Sequence, residues 1–498
     1  MNDSGPQEAA PQPALSASLP KAWMIGFLVC LIISWPAAKS IWLDGHFSDT
    51  DDAMRMVQVR DWLSGKSWYD LRVNRLDPPG GMIMHWSRVV DVPVAALLRF
   101  FSFFAGPETA ERLARIAFPL ALQGLLLWAL ASCGRLLAGA YGAVVAIILI
   151  IGSGMSLWQF IPGRIDHHAP QILLLALMTF ACLCGLDPQR PRMAALAGLC
   201  AALSLAIAIE NLPFVLVLMA IFPIAWAAQG QPMRAALGWM GFGWGASLAL
   251  FYALFQAPAL WLVSACDAIS AVHLRAGLTG AIAMLALAAF DRWRAPELRG
   301  RILATGLVGA CAALPLWFDR QCYVDPFSAI DPLVRELWLA NVREALSIRD
   351  LLKDHPEGIG GWVMPWVLGT IAIAAAAYRE RGLLQQRYLA LLALALAGCA
   401  TAFYMSRSIS SVTPLAIMGG VWAVNQAQQA FSKRESLAAA LLIPTLAPFT
   451  SIAWFAVLPP KDNEVEKTYD KTLASCSAPE AYAPLQSLPK GLFLTLPD

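Results

Sequence analysis

Long apolar stretches recur along this chain and limit what it can fold into. A bilayer span needs roughly 20 apolar residues. Segments of that kind fall at 22–43, 107–133, 141–160, 169–186, 193–209, 212–228, 234–256, 275–290, 300–318, 360–378, 388–404, 409–428 and 436–457. Only 14% of the 498 residues are charged, 58% are hydrophobic, and the mean hydropathy is +0.57. That composition excludes a soluble protein. It predicts an all-α, polytopic membrane protein of about thirteen transmembrane helices, because lipid leaves backbone polar groups no partner outside a helix or a closed barrel. The net charge of +2 says little about partners, and no nucleic-acid partner is expected.

The first apolar stretch is long and has no small-residue cleavage site, so it reads as a retained helix rather than a signal peptide. Residues 1–21, rich in Ala, Pro, Ser and Gln, read as a disordered cytosolic tail. Residues 22–458 form the transmembrane domain and 459–498 a short outer tail. Short loops rich in Arg and Lys mark the cytosolic side. Arg190 and Arg192, the group Arg292, Arg294, Arg299 and Arg301, the group Arg379, Arg381 and Arg387, and the pair Lys433 and Arg434 all fall on one side of a thirteen-span path. The opposite face then collects the long loops 44–91 and 319–359, the turn around Asp166, the Glu210-Asn211 turn and the loop around Arg407.

That outer face carries every residue with chemistry to offer. Residues 161–170 read Ile-Pro-Gly-Arg-Ile-Asp-His-His-Ala-Pro, between two apolar stretches. Asp166, His167 and His168 are costly beside lipid and are therefore candidates for function; a polar turn framed by prolines is the alternative. Asp49, Thr50, Asp51 and Asp52 follow the first span, where one of the first three would also serve as a helix cap. Carboxylates with an imidazole make a mixed ligand set for a divalent cation, less clean for Mn or Mg than oxygen alone. His85 would add a ligand, or would simply sit beside Trp86 at the interface. Glu344 alone is a solvated charge. Arg407 would either snorkel to headgroups or grip a phosphate with its fork. Glu210 and Asn211 would satisfy each other.

Taken together, the set resembles the catalytic subunit of oligosaccharyltransferases, within the GT-C class of membrane glycosyltransferases. In that family the first outer loop holds a metal-binding Asp followed by a helix ending in Arg-Asp, as Asp51 stands before Arg60-Asp61 here. A second motif takes the form Asp-His-His in archaeal members, and Gly163-Arg164-Ile165-Asp166-His167-His168 looks like it. Asn341-Val342-Arg343-Glu344 falls where the family has Thr/Ser-x-x-Glu, without the leading hydroxyl. Arg407 stands where the family places a phosphate-binding Arg. The resemblance covers roughly residues 22–430. It departs after Pro459, where no Trp-Trp-Asp-Tyr-Gly motif and no sizeable soluble domain follows, so the family's peptide-recognition half is expected to be absent.

The resemblance implies a glycosyltransferase on the periplasmic face of a bacterial inner membrane. The donor would be a sugar or oligosaccharide on polyprenyl phosphate or pyrophosphate. Asp51, Asp166 and His168 would hold Mn or Mg, with His85 and His167 as further ligands, Arg407 would clamp the donor phosphate, and Asp52 or Glu344 would orient or deprotonate the acceptor. The acceptor is expected to be a glycan, a lipid or a protein hydroxyl rather than a sequon Asn. A GT-C enzyme moving one sugar or aminosugar to lipid A, a glycan or a protein hydroxyl is the enzyme alternative. A flippase for lipid-linked glycans would want ionisable groups near the midplane and internal repeats, and neither is seen. Most of the ten cysteines, Cys266 included, lie in apolar surroundings and read as small buried side chains. Cys322 and Cys476 lie in polar outer segments and are expected to bond to each other over the loop carrying Glu344.

Overall fold

The computed structural model describes residues 19–430, except 48, 77–78, 320–321, 323–329, 338, 340–341, 355 and 357, together with 483–484. The last expected span, 436–457, the tail and Cys476 lie outside the described residues. Helices follow one another as α1 Leu19–Asp44, α2 Thr50–Leu63, α3 Asp91–Ser102, α4 Pro107–Ile151, α5 Gly154–Leu157, α6 His168–Gly185, α7 Met193–Ile207, α8 Leu212–Gln229, α9 Gln231–Phe255, α10 Ala271–Arg294 and α11 Leu298–Phe318. After a segment of short helices come Met364–Arg379, Gly382–Tyr404 and Ile409–Ala430. The one sheet among the described residues pairs Arg72–Val73 with Met82–Ile83 in the first loop. Eight described helices are long and apolar enough to cross a membrane. Large apolar side chains such as Ile32, 73% exposed, and Trp35, 65% exposed, point outward from α1, as lipid contact requires.

Helix α4 is two helices in one run. Ala138 and Gly139 leave helical geometry, Gly139 at φ +66, a region that favours glycine. The chain doubles back there. A Cβ on Gly134 would lie 2.3 Å from the Gly142 carbonyl oxygen, so the two limbs touch backbone to backbone. Counted this way, each expected span up to residue 430 meets a helix. The expected span 141–160 is shorter than read: its helix stops at Ile151, where Gly152 and Ser153 interrupt it before the short α5.

Hydrogen bonds bring the loops together at two ends. At one end the Arg387 Nε donates to the Leu183 carbonyl at 3.0 Å, the Arg301 Nε to the Ala227 carbonyl at 3.0 Å, and the Gln229 amide to Gln386 at 3.2 Å. These are the arginine-rich loops, gathered as their charge pattern predicts. At the other end Trp68 and Tyr69 of the first loop donate to the Leu254 and Ala253 carbonyls at 2.6 and 3.1 Å.

The disulfide differs from expectation. Cys322 bonds to Cys266, with Cα atoms 5.0 Å apart, and not to Cys476. The reason is topological: α10 and α11 form an antiparallel hairpin, so the segment entering α10 lies beside the segment leaving α11. Arg275 and Asp319 form an ion pair across the same place. Apolar surroundings had marked Cys266 as a free buried thiol, and only the hairpin reveals its partner.

Two outcomes are expected. Gly134→Val should lower the melting temperature of the purified protein markedly, since overpacking costs about 1–3 kcal/mol even where side chains can move; Gly306→Ala, which meets open space inside α11, should leave it unchanged or raise it slightly, because Ala is the better helix former. Peptide mapping without reductant should recover a Cys266–Cys322 crosslink, and free-thiol labelling of Cys322 before reduction would contradict it.

Candidate metal and phosphate site

The site begins with the cap of α2. The Asp49 carboxylate accepts the Asp51 backbone N–H at 3.2 Å. This places Asp51 and Asp52 in the first helical turn, where the helix dipole favours negative charge. Successive helical residues point about 100° apart, and the two acids diverge accordingly. Asp52 turns inward and is fully buried. Its Oδ1 accepts the backbone N–H of Ile165 at 2.6 Å and of Asp166 at 3.0 Å. Burial, with Asp166 close by, pushes its pKa up to about 7. Through these bonds Asp52, expected as a catalytic carboxylate, clasps the first loop to the Asp-His-His turn.

That turn is held from several sides. Gly163, at φ +102, donates its N–H to the Arg115 carbonyl at 3.0 Å. Arg164 is 3.3 Å from Asp49 and 2.6 Å from Asp166. The other Asp166 oxygen accepts the His168 N–H at 2.9 Å. Burial works against ionising Asp166, yet His168, Arg164 and His167 outweigh it and bring its pKa to about 2. Of the expected metal set of Asp51, Asp166 and His168, the structure groups Asp51 and His168 with His167, and Asp166 lies in the same turn. The described cluster with ligand atoms within 4.8 Å of one another is Asp51, His167 and His168. Asp166 is engaged by Arg164 and its own turn. Burial raises the pKa of Asp51, the outermost of the three.

Behind the histidines stands Glu210, from the turn between α7 and α8. One carboxylate oxygen lies 3.3 Å from the His167 Nε2 and the other 3.2 Å from the His168 Nδ1. Arg407 donates to Glu210 at 2.6 Å through one terminal nitrogen and to Glu344 through the other. The structure thus brings Asp51, His167, His168, Glu210, Arg407 and Glu344 to one place from segments spread over the chain. Asn211 does not satisfy Glu210. It bonds Gln171 and Ser204 instead, with its amide 2.6 Å from the Gln171 Oε1. Glu210 was legible only as an acid at membrane depth, a signal shared with any polar turn.

His85 lies on the rim, exposed, with its ring 5.2 Å from that of Trp86. Trp86 in turn lies 5.7 Å from the His167 ring and 4.7 Å beneath the Arg55 guanidinium. Arg55 and Arg88 both pair with buried Asp91, at 2.8 and 3.0 Å. No feature of the sequence singled out this support, because its members are far apart along the chain and only their burial marks them.

No protein-family model and no curated protein matches the sequence. Solved structures do match. The apo form of the Archaeoglobus fulgidus oligosaccharyltransferase has a TM-score of 0.67 at 15% identity, covering 96% of this chain and 60% of that one. This chain has an oligosaccharyltransferase fold. The same enzyme tethered to an acceptor peptide with an NVT sequon gives 0.67 at 15% identity, over 88% of this chain and 55% of that one. Its complex with an inhibitory peptide and a dolichol-phosphate gives 0.64 at 14% identity, over 96% and 60%. A complex of that enzyme with Zn and sulfate gives 0.60 at 15% identity, over 90% and 56%. The chain therefore spans a little over half the length of these oligosaccharyltransferases.

Within this fold the Asp52 clasp is open to test. Asp52→Ala leaves two buried N–H groups without an acceptor, at about 1–3 kcal/mol each. A clear fall in melting temperature is expected, larger than for Asp51→Ala, whose carboxylate accepts no backbone N–H from the turn.

Proposed function

We propose that this protein is a metal-dependent glycosyltransferase that moves a sugar or oligosaccharide from a polyprenyl phosphate or pyrophosphate to an acceptor on the periplasmic face of a bacterial inner membrane. The observation that carries the reading is the convergence of Asp51, His167 and His168 with Arg407 and Glu344 at one end of an oligosaccharyltransferase fold. The Archaeoglobus fulgidus enzyme of this fold was solved with a dolichol-phosphate and also with Zn and sulfate. The Cys266–Cys322 bond lies at the same end as the site, in keeping with an oxidising compartment there.

The residues fit a divalent cation. The His167 Nδ1 is buried and has no hydrogen-bond partner. One carboxylate and two imidazoles suit Mn better than Mg, of the two ions expected. Asp49, Asp51, Asp166, Glu210 and Glu344 share two guanidiniums, Arg164 and Arg407, and the imidazoles of His167 and His168; with the imidazoles neutral, the surplus of negative charge is one that a cation would offset. When bound, the ion supplies charge neutralisation at the leaving phosphate. Asp51, His167 and His168 would hold it. Asp166 keeps the turn in register through the His168 N–H. Arg407 would give its fork to the donor phosphate, releasing Glu344. Glu344, so released, would orient or deprotonate the acceptor. The acceptor is proposed to be a glycan, a lipid or a protein hydroxyl.

One assay tests both halves. With a polyprenyl-linked donor, Asp51→Asn, His167→Ala and His168→Ala should each lower transfer by at least a hundredfold while the protein stays folded, and chelation should do the same. Full activity in chelated enzyme and in all three variants would overturn the metal role. A sequon peptide offered to the same enzyme should yield no glycopeptide; metal-dependent glycosylation of its Asn would overturn the acceptor.

A further inference from the structure

Glu210 stands between two groups of opposite use. On one side are the paired imidazoles, 5% exposed each. On the other is the guanidinium of Arg407. The carboxylate reaches different ring atoms of the two histidines: Nε2 of His167 at 3.3 Å and Nδ1 of His168 at 3.2 Å. An ionised carboxylate only accepts, so each of these nitrogens must carry the hydrogen. In the neutral rings that a metal ion requires, the remaining nitrogens, Nδ1 of His167 and Nε2 of His168, are then the lone-pair donors. The His167 Nδ1 is buried and has no hydrogen-bond partner, so it is open to a ligand. One acid thus sets opposite tautomers in adjacent histidines and leaves both with a lone pair for the ion that also takes Asp51.

The same carboxylate oxygen that faces His167 accepts from Arg407 at 2.6 Å. Without the negative charge between them, a divalent cation and the guanidinium would repel each other. Resting on the metal reading above, we propose that Glu210 is the positioning residue that couples the cation site to the phosphate clamp. It prepares both histidines for the ion and holds Arg407 beside it, so that cation and lipid phosphate are bound as one unit. A polar turn that merely joined α7 to α8 would use neither oxygen this way.

The test measures Mn²⁺ affinity of the purified full-length chain in detergent by electron paramagnetic resonance, beside the melting temperature. Glu210→Gln is expected to weaken Mn²⁺ binding about 10–100-fold, the usual cost of removing an outer partner of a metal-ligating His, with the melting temperature little changed. Glu210→Asp keeps the charge but shortens the reach, and should lose at least threefold; it decides the point if the Gln variant does not fold. Arg407→Met combined with Glu210→Gln should depart at least threefold from the product of the single effects, because the two share an oxygen. Affinity within threefold of the unaltered protein in the folded Glu210 variants would overturn the positioning role, and a product of independent effects would overturn the coupling. No Mn²⁺ binding to the unaltered protein would instead overturn the metal reading beneath both.

Discussion

The Asp52 carboxylate joins two parts of the chain that nothing else joins so closely. It is sealed from solvent and accepts two backbone N–H groups of the Asp-His-His turn. A carboxylate in that position must be satisfied or neutralised. Here the two N–H groups do much of the work, while burial keeps its pKa near 7. Because Asp51 is the preceding residue on the same helical turn, fixing Asp52 also fixes where Asp51 points. The distance from Asp51 to the two histidines follows from that one contact.

Around this clasp the charges alternate in space. Asp49 and Asp166 flank Arg164, and Glu210 and Glu344 flank Arg407. Alternation of this kind lets ionised groups sit beside lipid, where each alone would be costly. A similar logic supports the rim: Asp91 neutralises Arg55 and Arg88, and Arg55 lies against the Trp86 ring that backs His167. The guanidiniums serve as struts, and the His167 Nδ1 is left without a hydrogen-bond partner.

The helices deliver these groups to one end through close backbone packing. The reversal at Ala138 and Gly139 brings Gly134 and Gly142 into contact. It returns the chain to the end from which Ser153 and the Asp-His-His turn depart. At that end the Cys266–Cys322 bond and the Arg275–Asp319 pair close the α10–α11 hairpin. The first loop is pinned to the foot of α9 by Trp68 and Tyr69.

Much of this was decided by residues read in order. Runs of apolar residues are the length of a bilayer, so the helices and their alternation follow from composition and period alone. Arginines in short loops mark a common end for the same reason. Asp51, His168 and Arg407 stand out in the sequence because charged groups beside lipid are rare, whereas Glu344 stands out only through the family resemblance; the structure brings all four to one end. Tertiary structure decided which acid does what. Asp51 and Asp52 are adjacent and alike in sequence, and only the approach of the turn makes one a buried clasp and leaves the other facing the histidines. Asp166 is adjacent to the histidines in sequence, and only the fold brings Arg164 and the His168 N–H onto its two oxygens. Glu210 looked like half of a polar turn, and Cys266 like a buried thiol. Their partners lie tens to hundreds of residues away, where no local pattern reaches, and distance in space rather than along the chain determines the chemistry of each.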